Sequence, residues 1–391
     1  MKKWILAFLV ALIAFILVPV KRADITVIGP VVMADGLGRN TIDFIHMLKT
    51  RYTVNCVPTL TKVSELPKDI KRCLNKRLSR YGRVVLYTKP VWEVKADDVI
   101  RFERLKQSDS LAVAYSMFES SALPQEGVKI LNDYFDVVVV PDEYLVGVYR
   151  NSGVIKPIKV LPLAMNFAAL ENKPFKKVKN DPFVFTILSS AVYRKNMFTA
   201  VKAFEKAFGN NPHVKLRINS RYSMGGANHE VLRYLQAHPL DNIVYTTKSL
   251  LTDEYNSLLA DSDCLLSVAM GEGFSIQPRE AMMLGIPCIV TNNTAQSTIC
   301  KTGLVRSVEC SIEEPAFHYF SDQSYGKYYK CTIDDLASAF LDVYHNYDRY
   351  LEKSQQAKAW ASFYTIEALQ KVYVEFFSYD HIGRCALENC E

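Results

Sequence analysis

The sequence predicts an α/β protein made of two doubly wound domains facing each other across a cleft. Three observations carry that prediction. Short apolar runs alternate with helical stretches along most of the chain, the pattern of parallel sheets covered on both faces. The alternation is broken by one polar, basic stretch, Asn172-Lys173-Pro174-Phe175-Lys176-Lys177, followed by Asp181-Pro182, which reads as an interdomain linker. The length of 391 residues suits two domains that each bury a full core without disulfides.

Composition narrows the class. With 49% hydrophobic and 23% charged residues, the chain is neither disordered, collagenous nor a coiled coil. The formal charge of +6, from 47 basic against 41 acidic residues, is too small to imply a nucleic-acid partner. Nine cysteines, an odd number without any C-x-x-C, predict a reduced protein without a zinc site.

The elements follow in order. Lys2 and Lys3 precede an apolar run from Trp4 to Val20, closed by Lys21 and Arg22. At about 1.5 Å per residue that run spans roughly 26 Å, just short of a bilayer core. No small-x-small cleavage site precedes the first strand. Residues 1–23 therefore predict an N-terminal transmembrane helix acting as an uncleaved anchor, with a secretory signal peptide as the rival reading. The first domain, 24–175, opens with a strand from Ile25 to Gly29, a glycine-rich loop Ala34-Asp35-Gly36-Leu37-Gly38, and a helix from Thr41 to Leu48. Its further strands are Arg83 to Tyr87, Leu111 to Tyr115 and Val137 to Val140. Between them, Lys68, Lys71, Arg72, Lys76, Arg77, Arg80 and Arg83 accompany Leu66, Ile70, Leu74, Leu78 and Tyr81 at helical spacing. This predicts a basic amphipathic helix over 66–83, either a solvated face or a membrane-surface contact. The second domain, 182–362, holds strands Phe183 to Leu188, Val214 to Asn219, Ile243 to Thr246, Cys264 to Val268 and Ile286 to Thr291. A last helix, Tyr364 to Phe377, lies in a C-terminal segment 363–391. Ligands of such sheets bind beyond the carboxyl ends of the strands, which places the site in the cleft.

The most informative stretch is Gly271-Glu272-Gly273-Phe274-Ser275-Ile276-Gln277-Pro278-Arg279-Glu280-Ala281-Met282-Met283-Leu284-Gly285-Ile286-Pro287-Cys288-Ile289. Gly271 and Gly273 let the backbone turn sharply after an apolar strand. Gln277-Pro278 opens a helix, where Pro is tolerated in the first turn, and Gly285 fits its stop. The helix start aims free N–H groups at whatever Gly273 to Ile276 approach, which favours an anion. Glu272 stands in the loop and Glu280 just inside the helix.

This stretch resembles the group 1 family of retaining glycosyltransferases of the GT-B fold (family 4-like), whose pattern is E-G-F-G/S-x-x-x-x-E-A-M-A-x-G-x-P-V-I. Val192-Tyr193-Arg194-Lys195-Asn196 is similar to the family's R-K-G/N segment. Phe118-Glu119-Ser120-Ser121-Ala122-Leu123-Pro124, Phe135-Asp136, Val140-Pro141-Asp142 and Ser152-Gly153-Val154 resemble one branch of it. An arginine that the family often carries a few residues before the lysine is replaced here by Leu188-Ser189-Ser190-Ala191.

The resemblance implies transfer of a sugar from a nucleotide-diphosphate sugar to a glycan or lipid-linked acceptor, with retention and without a metal or other cofactor. Catalysis would fall to Glu272 and Lys195. Donor contacts would come from Gly36, Gly38, Arg194, Lys195, Glu272, Gly273, Phe274, Ser275, Ile276 and Glu280, with Lys195 on the diphosphate and Glu280 on the ribose. Glu119 is the candidate on the acceptor side. The implied setting is a membrane, through the N-terminal run and the basic helix, with the catalytic domains facing the cytosol. A non-catalytic sugar- or nucleotide-binding scaffold and a GT-B-fold epimerase are the rival functions. Asp261-Ser262-Asp263 fits a metal-binding D-x-D but leads into a strand, which predicts a structural role. His46, on the first helix, predicts packing or surface placement.

Overall fold

The computed structural model describes residues 22–32, 36–74, 81–92, 94–171, 173–223, 225–318 and 322–387. Two six-stranded sheets, each parallel throughout, form its two halves. The first holds β1 (Ile25–Val31), β2 (Val54–Thr61), β3 (Val84–Tyr87), β4 (Leu111–Tyr115), β5 (Val137–Val140) and β6 (Ile158–Val160). The second holds β7 (Phe183–Ala191), β8 (Val214–Ser223), β9 (Ile243–Thr246), β10 (Cys264–Ser267), β11 (Cys288–Asn292) and β12 (Arg306–Glu309). A separate antiparallel hairpin pairs β13 (Ile312–His318) with β14 (Gln323–Lys330).

The strand orders are β2-β1-β3-β4-β5-β6 and β9-β8-β7-β10-β11-β12. In each sheet the chain runs outward from one central strand and then returns to that strand's other side. The points of reversal lie between β1 and β3 and between β7 and β10, and a crevice opens there at the carboxyl ends of the strands. The central strands β3 and β5 are apolar and wholly buried, β5 as four consecutive valines, because helices cover both faces.

One apolar cluster crosses the molecule. It joins Val27, Phe44, Tyr115 and Phe167 of the first half to Leu265, Phe274 and Met282 of the second. The chain also crosses back at its end. Helices Ile366–Phe376 and Tyr379–Leu387 lie on the first half, where the Tyr373 hydroxyl donates to the Pro162 carbonyl at 2.7 Å and the Tyr52 hydroxyl to the Val374 carbonyl at 2.6 Å. The expected single last helix is thus two.

Several expectations are corrected. The helix after β1 begins at Gly36, not Thr41, and runs to Lys49. Gly36 and Gly38 therefore belong to its first turn rather than to a loop. The basic helix over 66–83 is described only as Lys68–Cys73, where Leu74 turns extended. Lys76, Arg77, Leu78 and Arg80 lie outside the described residues. The Arg83 guanidinium sits 4.2 Å over the Tyr379 ring. The apolar run Trp4 to Val20 also lies outside the described residues. Among the described residues no helix is long and apolar enough to cross a membrane. In the two large sheets three strands had no expectation, β2, β6 and β12, and all are sheet edges. An edge strand tolerates a proline and half-exposed side chains, as Pro58 in β2 shows.

Candidate active site

The site is built at the second reversal point. After β7 the chain makes a short turn, Tyr193–Lys195, and Asn196 closes it in the left-handed region at φ 58°. After β10 it runs through Val268–Glu272 into the helix Ile276–Met283. A main-chain bond ties the two segments, Met270 N–H to the Arg194 carbonyl at 2.7 Å. The turn and the loop therefore present their side chains to one point.

Glu272 is 7% exposed. One of its carboxylate oxygens contacts the Lys195 ammonium, and the other lies 3.1 Å from Arg194 Nη1. Its N–H donates to Thr294 Oγ1 at 2.9 Å, which fixes the backbone from the opposite side. Burial on its own would raise the carboxyl, but the charges of Lys195 and Arg194 outweigh it and hold Glu272 below the usual carboxylate range. Arg194 also reaches the first domain, where Nη2 donates to Glu119 Oε1 at 2.9 Å.

Gly271 and Gly273 serve a close approach, though of protein rather than ligand. A Cβ on Gly271 would stand 2.0 Å from the Glu119 carbonyl oxygen, and one on Gly273 3.1 Å from Met117 Cβ. The loop Met117–Ser121 of the first domain is seated directly on the Gly271–Gly273 backbone. The hairpin clasps the same loop. Ser120 Oγ donates to the Tyr325 carbonyl at 2.6 Å, and Lys327 N–H donates to Ser121 Oγ at 2.9 Å. On its other side the hairpin holds the site loop, with Tyr329 N–H donating to the Met270 carbonyl at 2.8 Å.

The remaining expected residues divide. Ser275 takes the left-handed conformation at φ 66°, and its hydroxyl lies 3.1 Å from Ser267 Oγ. Ile276 starts the helix, whose first N–H groups lack intrahelical acceptors. Glu280 is half-buried one turn on and accepts a hydrogen bond from the Tyr255 hydroxyl. The Phe274 side chain does not face the cleft. It is buried in the core under the Arg279 guanidinium, 3.8 Å from its ring centre, so only its backbone is placed to meet a donor. Gly38 packs its backbone against Val32, where a Cβ would come within 2.3 Å of the carbonyl oxygen. Lys195, Arg194, Glu272 and Glu119 are thus brought together, whereas Gly36 and Gly38 stand on the first domain's helix.

Arg279 is the residue that motif reading passes over. It is fully buried and donates from Nη1 to the carbonyls of Phe274 and Ser275, the latter at 2.8 Å. The Tyr364 ring lies 4.4 Å and the Trp360 ring 5.2 Å from its guanidinium carbon. A cation caged by aromatic faces and pinned to two carbonyls holds the strained start of the site helix. Its signal in the sequence was an arginine on an otherwise apolar helix face.

Asp261 and Asp263 lie at the opposite, amino-terminal end of β10. Asp263 is fully buried and accepts from Val184 N–H at 2.7 Å and Asn180 N–H at 2.8 Å, while Lys176 pairs with it at 2.8 Å. Asp261 pairs with Arg217 at 2.7 Å. Both are structural. His46 pairs with Asp69 at the surface. Ser189, Lys195, Ser267, Ala269, Glu272 and Gln277 line one small cleft. A larger cavity of about 350 Å³ lies behind the Tyr193–Lys195 turn and includes neither Lys195 nor Glu272 in its walls. The charged groups Arg194, Lys195 and Glu272 converge at the smaller one.

Residues 170–308, which contain both the turn and the loop, match the family model "Glycosyl transferases group 1". This segment is similar to the group 1 glycosyltransferases. A protein of Sulfolobus islandicus rod-shaped virus 1, "Uncharacterized protein 356", is 21% identical over 366 residues, 89% of this chain and 93% of its own. A glycosyltransferase structure from Rickettsia africae superposes with a TM-score of 0.68 at 15% identity, covering 94% of this chain and 100% of that one. Anabaena Alr3699/HepE, solved in complex with UDP and glucose, gives 0.68 at 12% identity, covering 91% and 100%. A TarM structure from S. aureus gives 0.56 at 14% identity, covering 75% of this chain, and this chain spans 55% of that one. At these identities the structural likeness shows the GT-B fold.

Proposed function

We propose that this chain is a glycosyltransferase that moves a sugar from a nucleoside-diphosphate sugar, a uridine diphosphate sugar first among the candidates, to a glycan or lipid-linked acceptor. We further propose retention of the anomeric configuration and independence from metal. The observation that carries the reading is the buried Lys195–Glu272 contact at the mouth of the β7/β10 crevice. The Lys195 ammonium and the free N–H groups of helix Ile276–Met283 would stabilise the charge growing on the leaving diphosphate. Glu272 would face the sugar carbon that gains positive character, with its carboxylate already ionised by its neighbours. Glu280, one turn into the helix, would hold the ribose. The leaving phosphate can take the acceptor's proton, so no separate base is needed. The UDP and UDP-glucose complexes of Anabaena HepE support uridine as the base. Within the same proposal, the Trp4 to Val20 run anchors the chain with its catalytic domains on the cytosolic side, and full-length protein recovered from the aqueous fraction after lysis would count against that anchor.

The test is release of UDP from a panel of UDP-sugars, with and without acceptor glycans and with excess chelator. Release that survives chelation supports the reading. A chain that turns over no member of the panel, or only in the presence of a divalent ion, overturns it. The anomeric configuration of the product, read by NMR, decides retention.

A further inference from the structure

Arg194 directly precedes Lys195, and chain position suggests a second cation for the diphosphate. Its geometry points elsewhere. The guanidinium, 18% exposed, is a planar fork that can serve several acceptors at once. Nη2 donates to Glu119 Oε1 at 2.9 Å, and Nη1 donates to the Gly271 carbonyl at 2.9 Å and lies 3.1 Å from Glu272 Oε2. One side chain therefore joins a carboxylate of the first domain to a carboxylate of the second.

Glu119 can make this contact only while its loop is seated. Its carbonyl lies against Gly271, and Ser120 and Ser121 are bound to the hairpin of the second domain. Closure of the two domains and engagement of Arg194 by Glu119 are thus the same event. The consequence is electrostatic. A guanidinium shared between two carboxylates neutralises each less than one that serves Glu272 alone. Once Glu119 withdraws, Arg194 is left to Gly271 and Glu272, and the negative charge of Glu272 is more fully cancelled. Lys195 and Tyr328 are the other ionisable groups whose charges act on Arg194 and Glu272.

We propose that Arg194 is a positioning residue, not a diphosphate ligand, and that it makes the charge and placement of Glu272 depend on closure of the first domain through Glu119. The inference rests on the glycosyltransferase reading above.

The experiment compares Glu119→Gln, Arg194→Met, Arg194→Lys and the Glu119→Gln/Arg194→Met double variant. Turnover is measured with whichever UDP-sugar the wild-type chain hydrolyses, and the affinities for UDP and for uridine by calorimetry. Thermal unfolding of every variant confirms the fold, and Arg194→Lys keeps the charge should Arg194→Met fail that check. Glu119→Gln should lower kcat about tenfold and leave the UDP affinity within about twofold of wild type. The double variant should be no slower than Arg194→Met, because both substitutions cut one linkage. Arg194→Lys should recover only part of kcat, since an ammonium cannot bridge the two carboxylates as a fork does. The inference is overturned if Arg194→Met weakens UDP tenfold or more while uridine binding holds, for Arg194 would then be a phosphate ligand. It is equally overturned if the two losses multiply in the double variant. A wild-type chain inert toward every UDP-sugar sinks the glycosyltransferase reading instead, an outcome visible before any variant is compared.

Discussion

The two crevices of this molecule share a topology and differ in what stands at them. Between β1 and β3 the described residues include two small, neutral side chains, Thr41 and Thr88. They place their hydroxyls 2.8 Å apart, and a Cβ on Gly29 would meet Thr88 Oγ1 at 1.9 Å. Between β7 and β10 stand Arg194, Lys195 and Glu272, all largely buried. A doubly wound sheet supplies a place for a ligand, but the charges decide the chemistry done there. The first domain contributes packing and, to Arg194, the carboxylate of Glu119 from the loop after β4.

The comparison breaks if the charged crevice proves dispensable. Glu272→Gln should lower kcat by about 10²–10³, the scale of removing one preorganised electrostatic group. Lys195→Ala should cost about 10², because leaving-group charge also grows along the reaction. Steady-state turnover of a UDP-sugar measures both, and a folded Glu272→Gln protein with wild-type kcat would remove the centre of the proposed site. Glu280→Gln should act differently. A ribose contact is present in ground and transition states alike, so its loss should raise the donor KM about tenfold, with kcat nearly kept. A large fall in kcat instead would place Glu280 at the chemistry.

On the neutral side the expected effects concern stability. Helix Gly36–Lys49 carries two glycines in one turn with opposite surroundings. A methyl on Gly38 would collide with the Val32 backbone, whereas one on Gly36 meets nothing within 4 Å among the described residues. Gly38→Ala should destabilise by about 1–3 kcal/mol through forced backbone shifts. Gly36→Ala should be neutral or stabilise by up to about 1 kcal/mol, as glycine is a poor helix former. Urea midpoints of the two variants decide this. Equal effects would mean that the approach of Gly38 to Val32 is not tight in solution.

Much of this contrast was legible in the sequence, and the exceptions have physical causes. The second-domain site could be read because its residues are local, with Glu272 and Glu280 in one loop–helix and Arg194 and Lys195 in one turn. Central strands such as Val137–Val140 were readable as continuous apolar runs, since both their faces are buried. The edge strands β2 and β12 were not, because Pro58 in β2 and the polar Arg306–Glu309 in β12 answer to one neighbour and to solvent. The hairpin β13–β14 was missed for a related reason. Its exposed glutamates and lysines carry no core pattern, and its partner loop lies about 200 residues away in the chain. The cage around Arg279 is drawn from Phe274, Trp360 and Tyr364, so no single window of sequence displays it. Glu119 was placed near the cleft, but its pairing with Arg194 is a long-range contact that spacing cannot give.

The subtlest test uses two carboxyls shifted in opposite directions. Glu272 sits between two cations and is held below its ordinary range. Asp43, on the first-domain helix, has only Arg39 to offset its burial and is pushed up to about 7. The two signs follow from proton counting. Between the unfolded carboxyl value, about 3.9, and about 7, folded protein holds more protons at Asp43 than unfolded protein does. Stability from this group is therefore lost as pH rises through that window and changes no further above it. Glu272 does the reverse, since its contribution is present above the unfolded value and is lost as pH falls through the lower folded one. Asp43→Asn should leave the unfolding temperature unchanged near pH 4, raise it progressively toward pH 7, and hold that gain at pH 8. Glu272→Gln should lower it at neutral pH and converge with wild type in acid. Unfolding temperatures between pH 3 and 8 read both profiles. If Asp43→Asn brought no gain at pH 8, the first-domain carboxyl would have a cation serving it in solution, and the charge contrast between the two halves would reduce to the Arg194–Lys195–Glu272 cluster alone.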